Sequence, residues 1–243
     1  MNEKWIVLMV TIELMAIGGV IGALVTKNLR APFLFGFNTL LPVTAVYCWY
    51  GDGSTLRQAL LLILVSVYLL RMNVVLTAWY SSTAAVKLKD TLPPAQLYTL
   101  PIILANVFGW LYCLPFNWAA SRSGALSWID LSALIVYVLG TVLHLGSDYQ
   151  KRRFKQQPGT RGRILDTGFW RYSRHPNYLG DLLIYCAFGI MAGNLWGLVA
   201  PLANLAQYAG DAIPKGEKMA AERYGQAWSD YKRRTRCLVP FII

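Results

Sequence analysis

The sequence predicts an all-α protein, a polytopic transmembrane helical bundle of about seven spans, and three observations lead to that class. Apolar residues make up 56% of the 243-residue chain and charged residues only 14%, against roughly 25% charged in soluble domains. Stretches of ~20 mostly apolar residues, long enough to cross a hydrocarbon core as a helix, recur almost to Ala212. Lys and Arg gather in alternate connections, as they do where short loops face the cytoplasm.

The expected spans are 5–25, 32–50, 59–80, 97–116, 127–146, 178–193 and 195–212. The first is too long, and its start too poor in charge, for a cleaved signal peptide, so it is read as a retained helix. The last two are joined by little more than Gly193 and Asn194, which predicts a tight antiparallel hairpin. One set of connections holds Lys27 and Arg30, Lys87 and Lys89, eight cations between 151 and 174, and seven between 215 and 236, nineteen in all. The other set holds Lys4, Arg57 and Arg122, so the N-terminus is expected outside and the C-terminus in the cytoplasm. Beyond Ala212, residues Ala220, Tyr224, Trp228 and Tyr231 recur at helical spacing on one face of a segment too polar to span. That segment is expected to be a C-terminal helix at the interface or folded back under the bundle, with Gly225 as its weak point.

Composition narrows the possible partners. Cys48, Cys113, Cys186 and Cys237 are scattered without a CxxC pair, His144 and His175 are the only histidines, and no carboxylates cluster, so neither disulfides nor a metal site is expected. The net charge of +11 would suggest nucleic acid in a soluble protein. In a membrane protein it reports topology and attraction to anionic headgroups, so membrane lipids are the expected partners and nucleic acid is not. Glu13 and Arg71 lie within apolar spans, where an unpaired charge costs at least several kcal/mol; they either pair with each other or face a substrate cavity. Trp49, Tyr50, Trp79 and Trp110 read as interfacial belts, and His144 as a packing residue. Asp181 and Asp211 sit near the ends of the last hairpin.

Residues 148–181 read DYQKRRFKQQPGTRGRILDTGFWRYSRHPNYLGD. A loop that only sets topology needs positive charge, but not His-Pro-Asn-Tyr, the adjacent aromatics Phe169 and Trp170, or a carboxylate directly after a glycine. Lys151 and Lys155 share a helix face if the fifth span continues into the loop, and Arg174 with His175 returns at the start of the sixth. Converging cations suit a ligand bearing phosphate.

The run GFWRYSRHPNYLGD, the upstream QKRRFK and the downstream YGQAW with a closing LVPFII resemble the C-terminal core shared by three families. These are the sterol C14-reductases, the steroid 5-alpha-reductases and the isoprenylcysteine carboxyl methyltransferases; the chain looks closest to a bacterial branch described as steroid 5-alpha-reductase-like. The resemblance covers about residues 127–243. It implies a cofactor-binding core in 127–243, with the helices of 1–126 on the substrate side, in an integral membrane protein of the bacterial inner membrane.

Likeness to the reductases implies NADPH-dependent reduction of a carbon–carbon double bond in a steroid-like or other lipophilic substrate entering from the bilayer. By that likeness Lys151, Lys155, Arg174 and His175 hold phosphates and ribose, while Asn177, Tyr178, Glu217, Tyr224 and Trp228 shape the rest of the cofactor pocket. Tyr178 or Asp181 would position or supply the proton. Steroid 5-alpha-reductases are understood to use a Glu with a nearby Tyr, for which Glu13 and Tyr80 are the candidates. Lys155 stands where the sterol reductases have Arg, and Lys215, Gly216 and Glu217 stand where they have Arg-Asp-Glu. Likeness to the methyltransferases implies S-adenosylmethionine instead, since Glu217 also matches a glutamate of that branch. A non-catalytic lipid-binding protein that keeps the shell of the site is the third reading.

Overall fold

The computed structural model describes residues 2–79 and 92–240, and among these every regular element is a helix. α1 (Glu3–Thr26) starts at Asn2, whose side chain accepts from the Lys4 amide, and ends where Lys27 turns left-handed at φ 54°. α2 (Arg30–Asn38) and α3 (Leu40–Tyr50) follow one another across Thr39, and α4 is Thr55–Thr77. α5 (Pro94–Asn106) passes into a π-turn, Val107–Tyr112, and the chain restarts as α6 (Leu114–Ser121) with Pro115 in its first turn, where its missing N–H costs nothing. α7 (Trp128–Gln156) is capped by Ser127 and Asp130 in a reciprocal box. Beyond it come α8 (Phe169–Tyr172), α9 (Pro176–Ala192), a 3-10 turn (Leu195–Leu198), α10 (Val199–Gln207), a π-turn (Tyr208–Ala212), α11 (Ile213–Tyr224) and α12 (Gln226–Arg234).

Among the described residues, five stretches are long and apolar enough to cross a membrane: Glu3–Thr26, Arg30–Tyr50, Thr55–Thr77, Pro94–Ser121 and Trp128–Gln156. Their outward faces are apolar, with Val10, Leu14 and Ile17 on α1, Ile63 and Leu70 on α4, and Ile135 and Leu139 on α7 all exposed. A sheath of this kind is stable only in lipid, and the chain is an integral membrane protein. The expected sixth and seventh spans form a shorter hairpin. α9 stops at left-handed Gly193 (φ 70°), and Asn194 caps the 3-10 turn through the Trp196 amide.

Two features hold the bundle in register. α7 and α9 touch backbone to backbone, because a Cβ on Gly140 would lie 2.7 Å from the Gly180 carbonyl oxygen and one on Gly180 would lie 2.4 Å from the His144 amide. At the opposite end from the basic loop, Arg57 is fully buried. It donates to Asp130 through Nε (2.8 Å) and Nη2 (3.1 Å), and to the backbone oxygens of Arg122 and Ala125. The sequence reading treats Arg57 as a loop cation; the fold uses it to pin the start of α4 to the cap of α7.

Glu13 and Arg71 do not meet. Leu8, Ile12 and Ala16 form the inward face of α1, which leaves Glu13 exposed, accepting from Asn106 Nδ2 at 3.2 Å. Arg71 turns inward and pairs with Asp148 at 2.9 Å. Tyr80, Lys87 and Lys89 lie outside the described residues.

Candidate functional site

The fifth span continues as helix through Gln156, ten residues beyond its expected end, so Lys151 and Lys155 sit one turn apart on its last two turns. They line a cavity of about 1020 Å³ at the basic end of the bundle. This lies at the upper limit of the ~300–1,000 Å³ usual for small-molecule pockets. The cavity has three zones. Lys151, Lys155, Arg161, Arg163 and Arg223 give a cationic zone; His144, Asp148, Asn177, Tyr178, Asp181 and Tyr208 a polar middle; and Phe37, Met72, Val75 and Leu76 an apolar end.

The polar middle is organised around the Asp181 carboxyl group, which is buried. Oδ1 accepts from the Tyr68 hydroxyl at 3.0 Å, and Oδ2 accepts from Tyr208 at 2.6 Å and from Asn204 Nδ2 at 3.1 Å. Tyr185 lies 3.2 Å from the Tyr68 oxygen, and His144 Nδ1 is 3.4 Å from Asp181 Oδ1. The Gly140–Gly180 contact makes this approach possible, since it removes the side-chain bulk that would separate His144 on α7 from Asp181 on α9. A stack of rings leads outward from Asp181: Tyr208 on Tyr178 (4.4 Å between centroids), then Tyr178 on His175 (5.2 Å). One turn nearer Lys151 on α7, Asp148 accepts from Arg71 Nη2 at 2.9 Å and from Asn177 Nδ2 at 3.3 Å, joining α4, α7 and α9.

The polar C-terminal segment folds back against the bundle. It breaks at Gly225 (φ 54°) into α11 and α12, and the face carrying Ala220, Tyr224, Trp228 and Tyr231 lines the cavity. Arg174 fastens it there. Its Nε and Nη2 donate to Glu217 Oε1 at 2.8 and 2.7 Å, its Nη1 to the Thr235 carbonyl at 2.5 Å, and its backbone N–H to the Arg236 carbonyl at 2.9 Å. Lys232 Nζ lies 3.0 Å from Glu217 Oε2. Arg174, expected to hold phosphate, is buried, engaged by these protein groups and part of the cavity lining. Lys151 lies over the Trp170 ring at 5.1 Å. At Gly216 a Cβ would meet only His175 Cε1, at 3.9 Å, so the fold has room there for the Asp that the sterol reductase motif carries.

Glu217 and His175 titrate abnormally. Burial would raise the Glu217 pKa, but hydrogen bonds from His175, Lys232 and Arg174 outweigh it and hold the carboxyl well below its ordinary 4.5. Burial lowers His175 from its ordinary 6.5 despite the nearby Glu217. Both folded values are depressed, so both contributions to stability are complete above the ordinary values and are lost as pH falls. Docking of 213–236 should begin to loosen below about pH 6.5 through His175 and loosen more steeply below about 4.5 through Glu217. Hydrogen exchange of that segment, corrected for intrinsic pH dependence, would show it; protection unchanged from pH 7.5 to 4 would refute it. His175, Glu217 and Cys237 also bring ligand-type atoms within 4.8 Å of one another, a grouping not foreseen from the sequence. Arg174 and Lys232 already occupy both Glu217 oxygens.

The structure thus brings Lys151, Lys155, Arg174, His175, Asn177, Tyr178, Asp181, Tyr224 and Trp228 to one cavity, with Glu217 behind it on His175 and Arg174. Glu13 lies outside that cavity, exposed on α1. Tyr68, His144, Asp148, Asn204 and Tyr208 were missed as site residues, whereas Arg71, expected to pair with Glu13 or to face a cavity, lines this one. A signal existed for some: Tyr68 and Arg71 at i, i+3, and Asn204 and Tyr208 at i, i+4, each place two polar groups on one face of an apolar stretch.

Fold and site together define a polytopic helical membrane protein with a nucleotide-sized cavity where its basic end meets its apolar core. The chain belongs to the family described as "Protein of unknown function (DUF1295)", whose profile matches residues 33–235. It is homologous to members of the steroid 5-alpha-reductase and Delta(14)-sterol reductase families. It is 26% identical over 166 residues to Delta(14)-sterol reductase TM7SF2 of Mus musculus, covering 56% of this chain and 38% of that one. It is 24% identical over 152 residues to 3-oxo-5-alpha-steroid 4-dehydrogenase 1 of Rattus norvegicus, covering 58% and 57%. With the Delta(14)-sterol reductase of Methylotuvimicrobium alcaliphilum it shares 22% over 157 residues, covering 52% and 36%. The chain therefore spans between 36% and 57% of the length of these relatives.

Proposed function

We propose that this protein is a membrane oxidoreductase that uses NADPH to reduce a carbon–carbon double bond in a steroid-like or other lipophilic substrate. The observation that carries the reading is that one cavity joins a set of cations, a buried carboxyl–phenol–imidazole cluster and an apolar wall. In this reading 127–243 is the cofactor core and the helices of 1–126 supply the substrate side. The cofactor comes from the cytoplasm, and the substrate comes sideways from lipid.

The donor set fits a phosphate-rich dinucleotide. Lys151 and Lys155 hold phosphates from the end of α7, and Arg161, Arg163 and Arg223 add positive charge across the opening. Lys155 carries the charge without the fork of an Arg. A pocket for a sulfonium cation should instead present free carboxylate. Here Glu217 is neutralised by Arg174 and Lys232 and Asp148 by Arg71, which leaves Asp181 against Lys151, Lys155, Arg161, Arg163 and Arg223 in the lining, a balance that favours NADPH over S-adenosylmethionine. NADPH, when bound, supplies the hydride. The His175–Tyr178–Tyr208 stack gives its planar groups an edge to rest on. Asp181 accepts from the Tyr68 and Tyr208 hydroxyls and so positions the phenol protons, one of which completes the reduction. His144 and Asn204 keep that carboxyl group oriented.

Calorimetry of the full chain in nanodiscs tests the reading. NADPH is expected to bind, NADH to bind more weakly, and Lys151→Ala to lower NADPH affinity by about tenfold or more. Binding of S-adenosylmethionine without NADPH would assign the protein to methyl transfer. Binding of neither would make it a non-catalytic lipid-binding protein.

A further inference from the structure

Arg71 lines the cavity between the apolar end and Asp181, one helical turn beyond Tyr68 on α4. A guanidinium has five N–H donors, and few of these are used. Nη2 donates to Asp148, Nη1 has only the Met72 sulfur at 3.0 Å, and Nε is buried without a hydrogen-bond partner. A thioether is a weak acceptor. Burying an Arg with an unused donor is costly, so a purely structural ion pair would be expected to satisfy the fork more fully. The neighbours explain why it is not satisfied. Phe37, Met72, Val75 and Leu76 offer no oxygen, and the nearest carboxylate, on Asp148, already accepts from Asn177 as well.

We infer that Arg71 is a ligand-binding residue whose spare donors take a carbonyl oxygen at the junction of cofactor and substrate. Two sources present that chemistry there, the carboxamide of a nicotinamide ring and a keto group on the lipophilic substrate. The assignment deepens the reductase reading and rests on it. Asp148 is then a positioning residue, fixing one edge of the guanidinium so that the other faces the ligand.

The test compares wild type with Arg71→Lys, which keeps a cation for Asp148 but loses the fork. Arg71→Met combined with Asp148→Asn is the neutral control should the lysine variant fold poorly. Two affinity ratios are measured on the full chain in nanodiscs: NADP+ against 2'-phospho-ADP-ribose, and, with NADP+ present, testosterone, whose one carbonyl is at C3, against its 3-deoxy analogue. We expect one ratio to fall by about tenfold in the variants while the carbonyl-free member of that pair binds as before. A fall in the first ratio assigns the oxygen to the nicotinamide, and a fall in the second to the substrate. Ratios that are unchanged, or absent in wild type, overturn the Arg71 assignment alone. Failure of wild type to bind NADP+ at all overturns the reductase reading and this inference with it.

Discussion

Asp181→Asn is expected to lower the turnover of lipophilic enone reduction by about 10²–10⁴-fold while leaving NADP+ affinity within a few fold. The amide keeps the shape of the carboxyl, but with one acceptor oxygen in place of two it cannot accept from Tyr68 on one side and from Tyr208 and Asn204 on the other. The cationic zone proposed for the nucleotide is separate from Asp181, so binding and chemistry should part company in this variant. Tyr68→Phe tests the same cluster from α4, because the 3.0 Å bond to Asp181 is lost with no change in ring packing. If Asp181→Asn retained turnover within tenfold of wild type, the proton would have to come from elsewhere, with Tyr178 the next candidate.

The second large effect lies at the other end of the molecule and concerns stability. Asp130→Ala strands Arg57, one of the largest fully buried side chains, and should cost about 3–5 kcal/mol. Exchanging both partners, Arg57→Met with Asp130→Leu, should recover most of that loss, since an apolar pair of similar volume escapes the desolvation penalty. Arg122, which reaches both Asp130 oxygens at 3.3–3.4 Å, keeps the recovery incomplete. Thermal unfolding of the two variants in the same detergent decides it. Equal losses in the single and the double variant would mean that the ion pair is not what holds α4 to α7.

The parts of the fold that depend on hydrophobic length were legible in the sequence. The first five spans are simple runs of apolar residues, and the 29-residue α7 fell short in the reading only because its last turns are basic. The turns at Gly193 and Gly225 were also readable, because both adopt positive φ, where glycine carries no steric penalty. The cavity's loop side was legible for a different reason: Lys151, Lys155, His175 and Tyr178 cluster along one stretch of chain. Its α4 side was not. Tyr68 and Arg71 reach Asp181 and Asp148 across more than 75 residues of sequence, and no spacing rule connects a helix to a partner chosen by tertiary packing. Glu13 failed for the same reason reversed, since a charge within an apolar span looks functional until the facing of its helix is known. Arg174 shows a further limit, because a motif can name a residue without showing the protein groups, Glu217 and the Thr235 carbonyl, that engage it.

The bare backbone contact at Gly140 and Gly180 has a mechanical consequence. Two helices that meet without intervening side chains cannot slide or part by small rotamer adjustments, so α7 and α9 behave as a fixed anvil carrying His144, Asp148 and Asp181. Ligands of different bulk must then be accommodated by whatever presses against that anvil: α4 from within the bilayer, and the hinged pair α11 and α12 from below. Changes that retune which molecules fit belong on those two faces, away from the Tyr68 and Arg71 contacts that tie α4 to Asp181 and Asp148.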